Sequence, residues 1–441
     1  MIKENKGNVS IVVGLQWGDE GKGRVTHYMS KDMDCVIRAT GGNNAGHTLS
    51  LNGKKHVVHL LPSSILNPNV VSIIGSAVLV DPIVLLEEMN NVISSGIPLK
   101  TTNFLISDRA HVIMPYHKLE DEWYEAKKER KIGTTKRGIG PCAADKCNRI
   151  GVRMCDLFDK DVLRRKITEA LSVKSRDFFV KRVPIKSIIE GMVNAYYIDS
   201  KSEFKDVYDE KVTMNSLKDF IKNTDIITLY DVYSGKKFLI EGAQATYLDL
   251  DHGNYPFVTS SYPIASGCLS GAGIGPTAVK SVIGVAKAYC SRVGEGPFPT
   301  EQNNEIGDTI RELGGEYGAT TKRPRRCGWL DLVALKYACM LNGVTELCIN
   351  HIDTIGKLST IDVAISYLEN NQMIYHVPTD MYKCKPVYKT FKGGWNTDGI
   401  IKYQDLPKNC RAYIEFIEEF VGVPIKYIGV GADDTRTIIK E

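Results

Sequence analysis

Residues 14–24 read GLQWGDEGKGR and follow directly on the apolar run VSIVVG at 9–14. A glycine-rich turn between a buried strand and a helix offers backbone N–H groups and a helix N-terminus to phosphate. The spacing departs from the common phosphate loop GxxxxGK[ST]: Gly14 lies six residues, not four, before Gly21-Lys22, and Gly23 replaces the hydroxyl residue that would bind Mg²⁺. Asp19 sits inside the loop. A carboxylate among phosphate-binding amides repels the ligand unless it binds a metal or takes a proton, so Asp19 is read as functional.

Residues 40–48, TGGNNAGHT, crowd two asparagines and a histidine at a strand end with few packing side chains. His47 in that setting suits a proton donor to a developing oxyanion; in isolation it serves equally well as a hydrogen-bonded structural group. IGTTKRGIGP at 132–141 and EGAQ at 241–244 occupy positions that favour ligand-contacting loops. TTKRPRR at 320–326 gathers four cations beside two hydroxyls, a composition matched to carboxylates and phosphates, and the helical periodicity of CGWLDLVALKYA places this loop just before a helix N-terminus. NHID at 350–353 follows a strand-like run, and the Asp353 carboxylate can accept from both N1–H and the 2-amino group of guanine. GAGIG at 271–275 superficially resembles a dinucleotide fingerprint, but ASGCLS before it makes a poor strand and no acid follows at a suitable distance.

The elements that must carry these loops alternate. Short β-rich runs at 9–14, 35–38, 57–61, 70–74, 104–106, 238–240, 281–286 and 346–349 are interleaved with helical spacing at 82–93, 115–130, 330–341 and 411–421. That order predicts an α/β, doubly wound, mostly parallel sheet with ligands at the carboxyl ends of its strands. Residues 156–231 are charged and helix-prone without glycine motifs, and read as a helical insertion. At about 150 residues per domain, length alone leaves one large or two to three smaller domains open.

A formal charge of +4, from 56 basic and 52 acidic residues, is too balanced to mark a nucleic-acid-binding protein, so phosphate affinity has to be local. The 11 cysteines form an odd set without CxxC spacing, and the start MIKENKGNVS lacks a signal-peptide core; reduced thiols in a cytoplasmic protein are expected. The longest apolar stretch, 70–80, is broken by Ser72, Gly75 and Ser76 and falls well short of the roughly 20 residues of a membrane span, so no membrane partner is expected.

GDEGKGR at 18–24, GGNNAGHT at 41–48, GTTKRGIGP at 133–141, EGAQATYLDLDHGNYPFVTSS at 241–261, RVGEGPFPTE at 292–301, GATTKRPRRCGWLD at 318–331 and GVPI near the C-terminus, taken in order, resemble the adenylosuccinate synthetase family. The resemblance implies a single α/β domain over 1–441 around one large, P-loop-NTPase-like sheet, working as a homodimer. It implies a ligase that joins IMP and L-aspartate at the expense of GTP, giving adenylosuccinate, GDP and phosphate through a 6-phosphoryl-IMP intermediate, with one Mg²⁺ per subunit. By similarity Asp19, His47 and Lys22 are catalytic, and Asp19 and the Gly46 carbonyl hold the metal. IMP is expected against Asp19, Glu20, Gly21, Lys22, Asn44, Ala45, Gly46, His47, Thr135, Gln244, Thr259 and Arg323, with Arg149 reaching across from the second subunit. GTP is expected against Gly18, Gly21, Lys22, Gly23, Arg24, Gly46, His47, Thr48, Arg325, His351, Ile352, Asp353, Gly429, Val430 and Gly431, and aspartate against Ala319, Thr320, Thr321, Arg323 and Arg325.

The sequence departs from the family pattern at several points. His351 stands where a lysine is common, Lys136 replaces a common glycine, Pro324 interrupts an arginine run, and GVGA at 429–432 replaces a Ser/Gly/Pro pattern. A GTP-switch protein would share a phosphate loop and a guanine-reading Asp, but Gly23 removes its metal-binding hydroxyl.

Overall fold

In the computed structural model, residues 7–51, 54–174, 184–318, 323–431, 433 and 435–441 are described. All six residues of Val9–Gly14 are buried, because the strand is flanked in parallel by Phe238–Glu241 and Val279–Lys287 and is covered on both faces. Alternation along the strand divides its side chains. Val9, Ile11 and Val13 pack with residues of helices Ala265–Ala272, Leu332–Asn342 and Lys408–Val421, whereas Val12 packs with Val25 of helix Lys22–Ser30.

The central sheet has ten strands, in the spatial order Ile221–Lys222, Phe104–Ser107, Val71–Ile74, Cys35–Arg38, Phe238–Glu241, Val9–Gly14, Val279–Lys287, Glu346–Asn350, Ile425–Gly429 and Thr437–Ile439. Every pairing is parallel except the last, where Thr437–Ile439 runs antiparallel along the edge. The parallel register Val12↔Glu241 and Ile37↔Ile240 brings the carboxyl ends of three strands, and the loops that follow them, to one place. Residues 156–231 carry helices Lys160–Ser172, Ile185–Tyr196 and Thr224–Ser234, and also supply the edge strand Ile221–Lys222 of the central sheet.

Three expectations from the sequence change. The run at 57–61 is not a strand of the central sheet: Lys54–Val58 forms a hairpin with His47–Leu51, and Glu88 of helix Pro82–Ser94 accepts the N–H groups of His59, Leu60 and Leu61 just beyond it. The basic loop does not abut a helix N-terminus, since Arg326–Gly328 first pairs with Cys290–Arg292 and the next helix, Leu332–Asn342, is capped by Asp331 accepting from Ala334 N. A separate mixed sheet, in which Thr360–Glu369 pairs in parallel with Leu330–Asp331 and antiparallel with Gln372–Ile374 and Lys385–Lys392, escapes the sequence reading, because Gln372–Ile374 and Lys385–Lys392 bury few side chains and show little apolar patterning. The GAGIG run closes helix Ala265–Ala272, with Gly273 as its left-handed cap at φ 70°, in agreement with the rejection of a dinucleotide fingerprint.

Candidate active site

The loop after Val9–Gly14 is built around one carboxylate. Glu20 is fully buried; its Oε1 accepts from Gln16 N at 3.0 Å and Gly18 N at 2.9 Å, and its Oε2 lies 2.7 Å from Lys22 Nζ. A Cβ on Gly14 would stand 2.6 Å from Glu20 Oε2 and 2.8 Å from Lys22 Nζ, so the knot requires glycine there. Any contact Glu20 makes with a ligand therefore uses its backbone. Lys22 is 4% exposed and still lines the cleft, an ammonium fixed in position by Glu20 before a ligand arrives. Gly23 has a steric reason too: a Cβ would stand 2.8 Å from His47 Cβ, leaving no room for the hydroxyl of a standard phosphate loop.

Asp19 adopts φ 61°, a left-handed conformation that costs a non-glycine residue roughly 1–2 kcal/mol. It lines the cleft, where its Oδ2 lies 2.8 Å from Arg325 Nε. Arg325 in turn donates from Nη1 to Glu316 Oε2 at 2.8 Å.

On the same cleft, His47 Nδ1 lies 2.5 Å from Glu241 Oε1 and 3.0 Å from Ser63 Oγ. Ser63 donates both its N–H, at 2.8 Å, and its hydroxyl, at 2.7 Å, to the same carboxylate. Burial by itself pushes the Glu241 carboxyl up, but His47, Arg38 and the Ser63 N–H hold it down at about 2. Burial lowers the His47 pKa, against the pull of Glu241, which favours a neutral imidazole donating from Nδ1. Glu241 is the residue the sequence reading passed over. EGAQ reads in the sequence as a loop motif, and only the register of the parallel strands shows that its first residue orients the histidine.

Several of the expected IMP contacts converge. Asn44, Ala45, Gly46, Thr135, Gln244, Thr259 and Arg323 line the same cleft of about 1110 Å³ as Asp19, Lys22 and His47. Gln244, at φ 56°, donates from Nε2 to Asn44 Oδ1 at 3.0 Å. Among the described residues, Gln244 Oε1, Thr134 Oγ1 and Thr259 Oγ1 are buried atoms without a hydrogen-bond partner, a pattern suited to a polar ligand. Arg149 is exposed, at φ 65°, and does not line this chain's own cleft.

Gly18, Gly21, Gly23, Arg24 and Thr48 also line the cleft, whereas His351, Ile352, Asp353 and Gly429 to Gly431 lie beyond it at the ends of the next two strands. Arg24 ties the two parts together, donating to Asn350 Oδ1 from Nη2 and to Gly431 O from Nη1 at 2.8 Å. A Cβ on Gly429 would stand 2.3 Å from Arg24 Nη2 and from Asn350 Oδ1, which accounts for glycine at that point of the 429–432 run. Asn350 Nδ2 donates to Glu20 O at 2.6 Å, joining the end of strand Glu346–Asn350 to the phosphate loop.

His351 turns left-handed at φ 63°, and its Nδ1 lies 3.1 Å from Thr354 Oγ1 and 3.3 Å from Tyr289 OH. Burial takes its pKa down to about 4, so at neutral pH this position is uncharged, unlike the lysine common in the family. Ile352 is fully buried and offers only its backbone, and burial raises the Asp353 carboxyl. Of the described cations in the basic loop, Arg326 makes a two-point pairing with Glu301, while Arg323 and Arg325 line the cleft. Ala319, Thr320 and Thr321 lie outside the described residues.

A phosphate loop at the carboxyl edge of a parallel sheet, an acid within it and, on the same cleft, a histidine held by a carboxylate and two arginines define a nucleotide-dependent α/β enzyme. The sequence pattern of the family described as Adenylosuccinate synthetase matches residues 11–438. The chain is 51% identical to the adenylosuccinate synthetase of Acetivibrio thermocellus, over 97% of this chain and 99% of that one. It is 46% identical to that of Clostridioides difficile, over 97% and 98%. The solved structure of the fully ligated adenylosuccinate synthetase from Plasmodium falciparum superimposes with a TM-score of 0.88 at 34% identity, covering 99% of this chain and 100% of that one. The chain belongs to the adenylosuccinate synthetase family. It is a GTP-dependent ligase that joins IMP and aspartate in AMP biosynthesis.

Proposed function

We propose that the reaction runs through 6-phosphoryl-IMP and that Asp19, His47 and Lys22 carry it. That the Asp19 carboxylate, the Lys22 ammonium and the Glu241-oriented His47 line one cleft is the observation that supports this most directly. Asp19 takes the N1 proton of IMP, the 6-oxygen attacks the γ-phosphorus of GTP, and GDP leaves. His47 stabilises charge on the 6-oxygen, and Lys22 balances phosphoryl charge. The aspartate amine then attacks C6, phosphate departs with the 6-oxygen, and adenylosuccinate remains. Phosphorylation turns an oxide or hydroxide leaving group into phosphate.

IMP sits against Asn44, Thr135, Gln244, Thr259 and Arg323, and the unpartnered Gln244 and Thr259 oxygens support that placement. Arg149 reaches the IMP site of a second copy in a homodimer, a reading supported by its exposure and by its absence from its own cleft. Arg325 serves the GTP phosphates, residues 319–325 clamp the aspartate carboxylates, and Asp353 reads guanine. One carboxylate and one backbone carbonyl, from Asp19 and Gly46, match the sparse protein ligand set of Mg²⁺, which takes its remaining ligands from phosphate and water. When bound there, Mg²⁺ would neutralise charge on the transferring phosphoryl group. Strands drawn from residues 9 to 439 into one sheet support a single domain. Eleven free cysteines support a reducing, cytoplasmic setting, and among the described residues no helix is long and apolar enough to cross a membrane.

The test is an ultraviolet absorbance assay of protein, IMP, GTP, aspartate and Mg²⁺ with each component omitted in turn and GDP release followed in parallel. Signal and GDP release that require every component support the proposal. GTP hydrolysis without IMP would reject the coupling.

A further inference from the structure

The segment that carries Arg323 and Arg325 is the arm of a hairpin. Arg325 N donates to Glu316 O at 2.9 Å and Gly318 N to Arg323 O at 2.9 Å, so Glu316 and Arg325 face each other across its base. Their side chains are paired as well. Glu316 is 1% exposed, and each oxygen of its carboxylate has its own partners: Oε2 accepts from Arg325 Nη1 at 2.8 Å, while Oε1 accepts from Lys287 Nζ and Tyr289 OH, both at 2.6 Å.

Lys287 is fully buried at the end of the central strand Val279–Lys287, and its N–H donates to Gln16 Oε1 of the nucleotide loop at 3.0 Å. Tyr289 is also fully buried; its hydroxyl lies 3.3 Å from His351 Nδ1, and its ring leaves no room for a side chain at Gly314, just before the hairpin. A buried carboxylate with three charged or hydroxyl donors is costly to assemble and rigid once assembled.

We infer that Glu316 is the positioning residue that ties the guanidinium of Arg325 to the central sheet, while the hairpin backbone that carries Arg323 is held by its own hydrogen bonds. The inference rests on the proposed assignment of Arg325 to the GTP phosphates. Glu316 itself touches no substrate; its influence on binding passes through Arg325.

The experiment measures GTP and IMP affinities of the full chain by calorimetry in the presence of Mg²⁺, for wild type, Glu316→Gln, Arg325→Leu and the double variant. Glu316→Gln is expected to weaken GTP binding about tenfold with IMP affinity unchanged, and to add nothing in the Arg325→Leu background, as for two residues acting as a unit. A purely structural role would weaken both nucleotides together. Unchanged GTP affinity in Glu316→Gln, or an effect that adds to that of Arg325→Leu, overturns the inference. If Arg325→Leu itself leaves GTP affinity intact, the assignment of Arg325 fails and the inference with it. Should Glu316→Gln not fold because Lys287 is left unpaired, Lys287→Met with Glu316→Gln removes both buried charges, and the same selective loss of GTP affinity is expected.

Discussion

Asp19 Oδ2 lies 2.8 Å from Arg325 Nε, an ion pair between the nucleotide loop and the arginine hairpin. The carboxylate proposed to accept the N1 proton of IMP is thus paired with a cation. Arg325 has a second anchor in Glu316, donating from Nη1 to Oε2 at 2.8 Å.

Asp19→Asn keeps the shape of the side chain and removes the proton acceptor. The variant is expected to lose about 10²–10⁴-fold in kcat, the usual range for a general acid–base group, with IMP affinity within a few-fold of wild type. Steady-state turnover alongside calorimetric binding checks it, and turnover within a few-fold of wild type would remove Asp19 from the catalytic role.

Glu241→Gln withdraws the carboxylate that orients His47. A loss of roughly 10–100-fold in activity is expected, in line with the removal of the partner that orients a functional histidine. The same variant has a stability signature. The Glu241 pKa is depressed from 4.5 to about 2, so its contribution is complete above pH 4.5 and is lost as pH falls toward 2. Denaturant midpoints should therefore fall less steeply across that window in the variant than in wild type; parallel profiles would contradict the assigned ionisation.

Asp353→Asn replaces the proposed acceptor of two guanine donors with a group that offers one acceptor and an amide. Discrimination between GTP and ATP should drop by about tenfold or more, given roughly 1–3 kcal/mol for a lost charged hydrogen-bond partner. Competition of the two nucleotides in the coupled assay measures this, and an unchanged preference would mean that another group reads the base.

Gly23→Ser restores the hydroxyl of a standard phosphate loop, but its Cβ would stand 2.8 Å from His47 Cβ. Thermal unfolding should show about 1–3 kcal/mol of destabilisation, the range for an overpacked site, together with a fall in kcat as His47 is displaced. A serine variant with wild-type stability and rate would show that the loop yields freely.

Local features were legible from the sequence because neighbouring residues encode them. The glycines at 18 and 21 turn the loop at φ 96° and 90°, and the apolar run at 9–14 is the buried strand of the central sheet. The motifs from 18–24 to 318–331 sufficed to indicate the family, whose sequence pattern matches residues 11–438.

What tertiary structure alone decided is which side chains meet. Glu241 reaches His47 because Phe238–Glu241 lies between Val9–Gly14 and Cys35–Arg38, a neighbour relation set by crossover connections and absent from local periodicity. Glu20, which reads as one more loop acid, turns inward because only two backbone N–H groups and the Lys22 ammonium can satisfy it there. Arg325 and Arg326 are adjacent and chemically alike, yet one faces Asp19 and the other Glu301, since successive residues on an extended segment point to opposite sides and meet whatever the fold has placed on each.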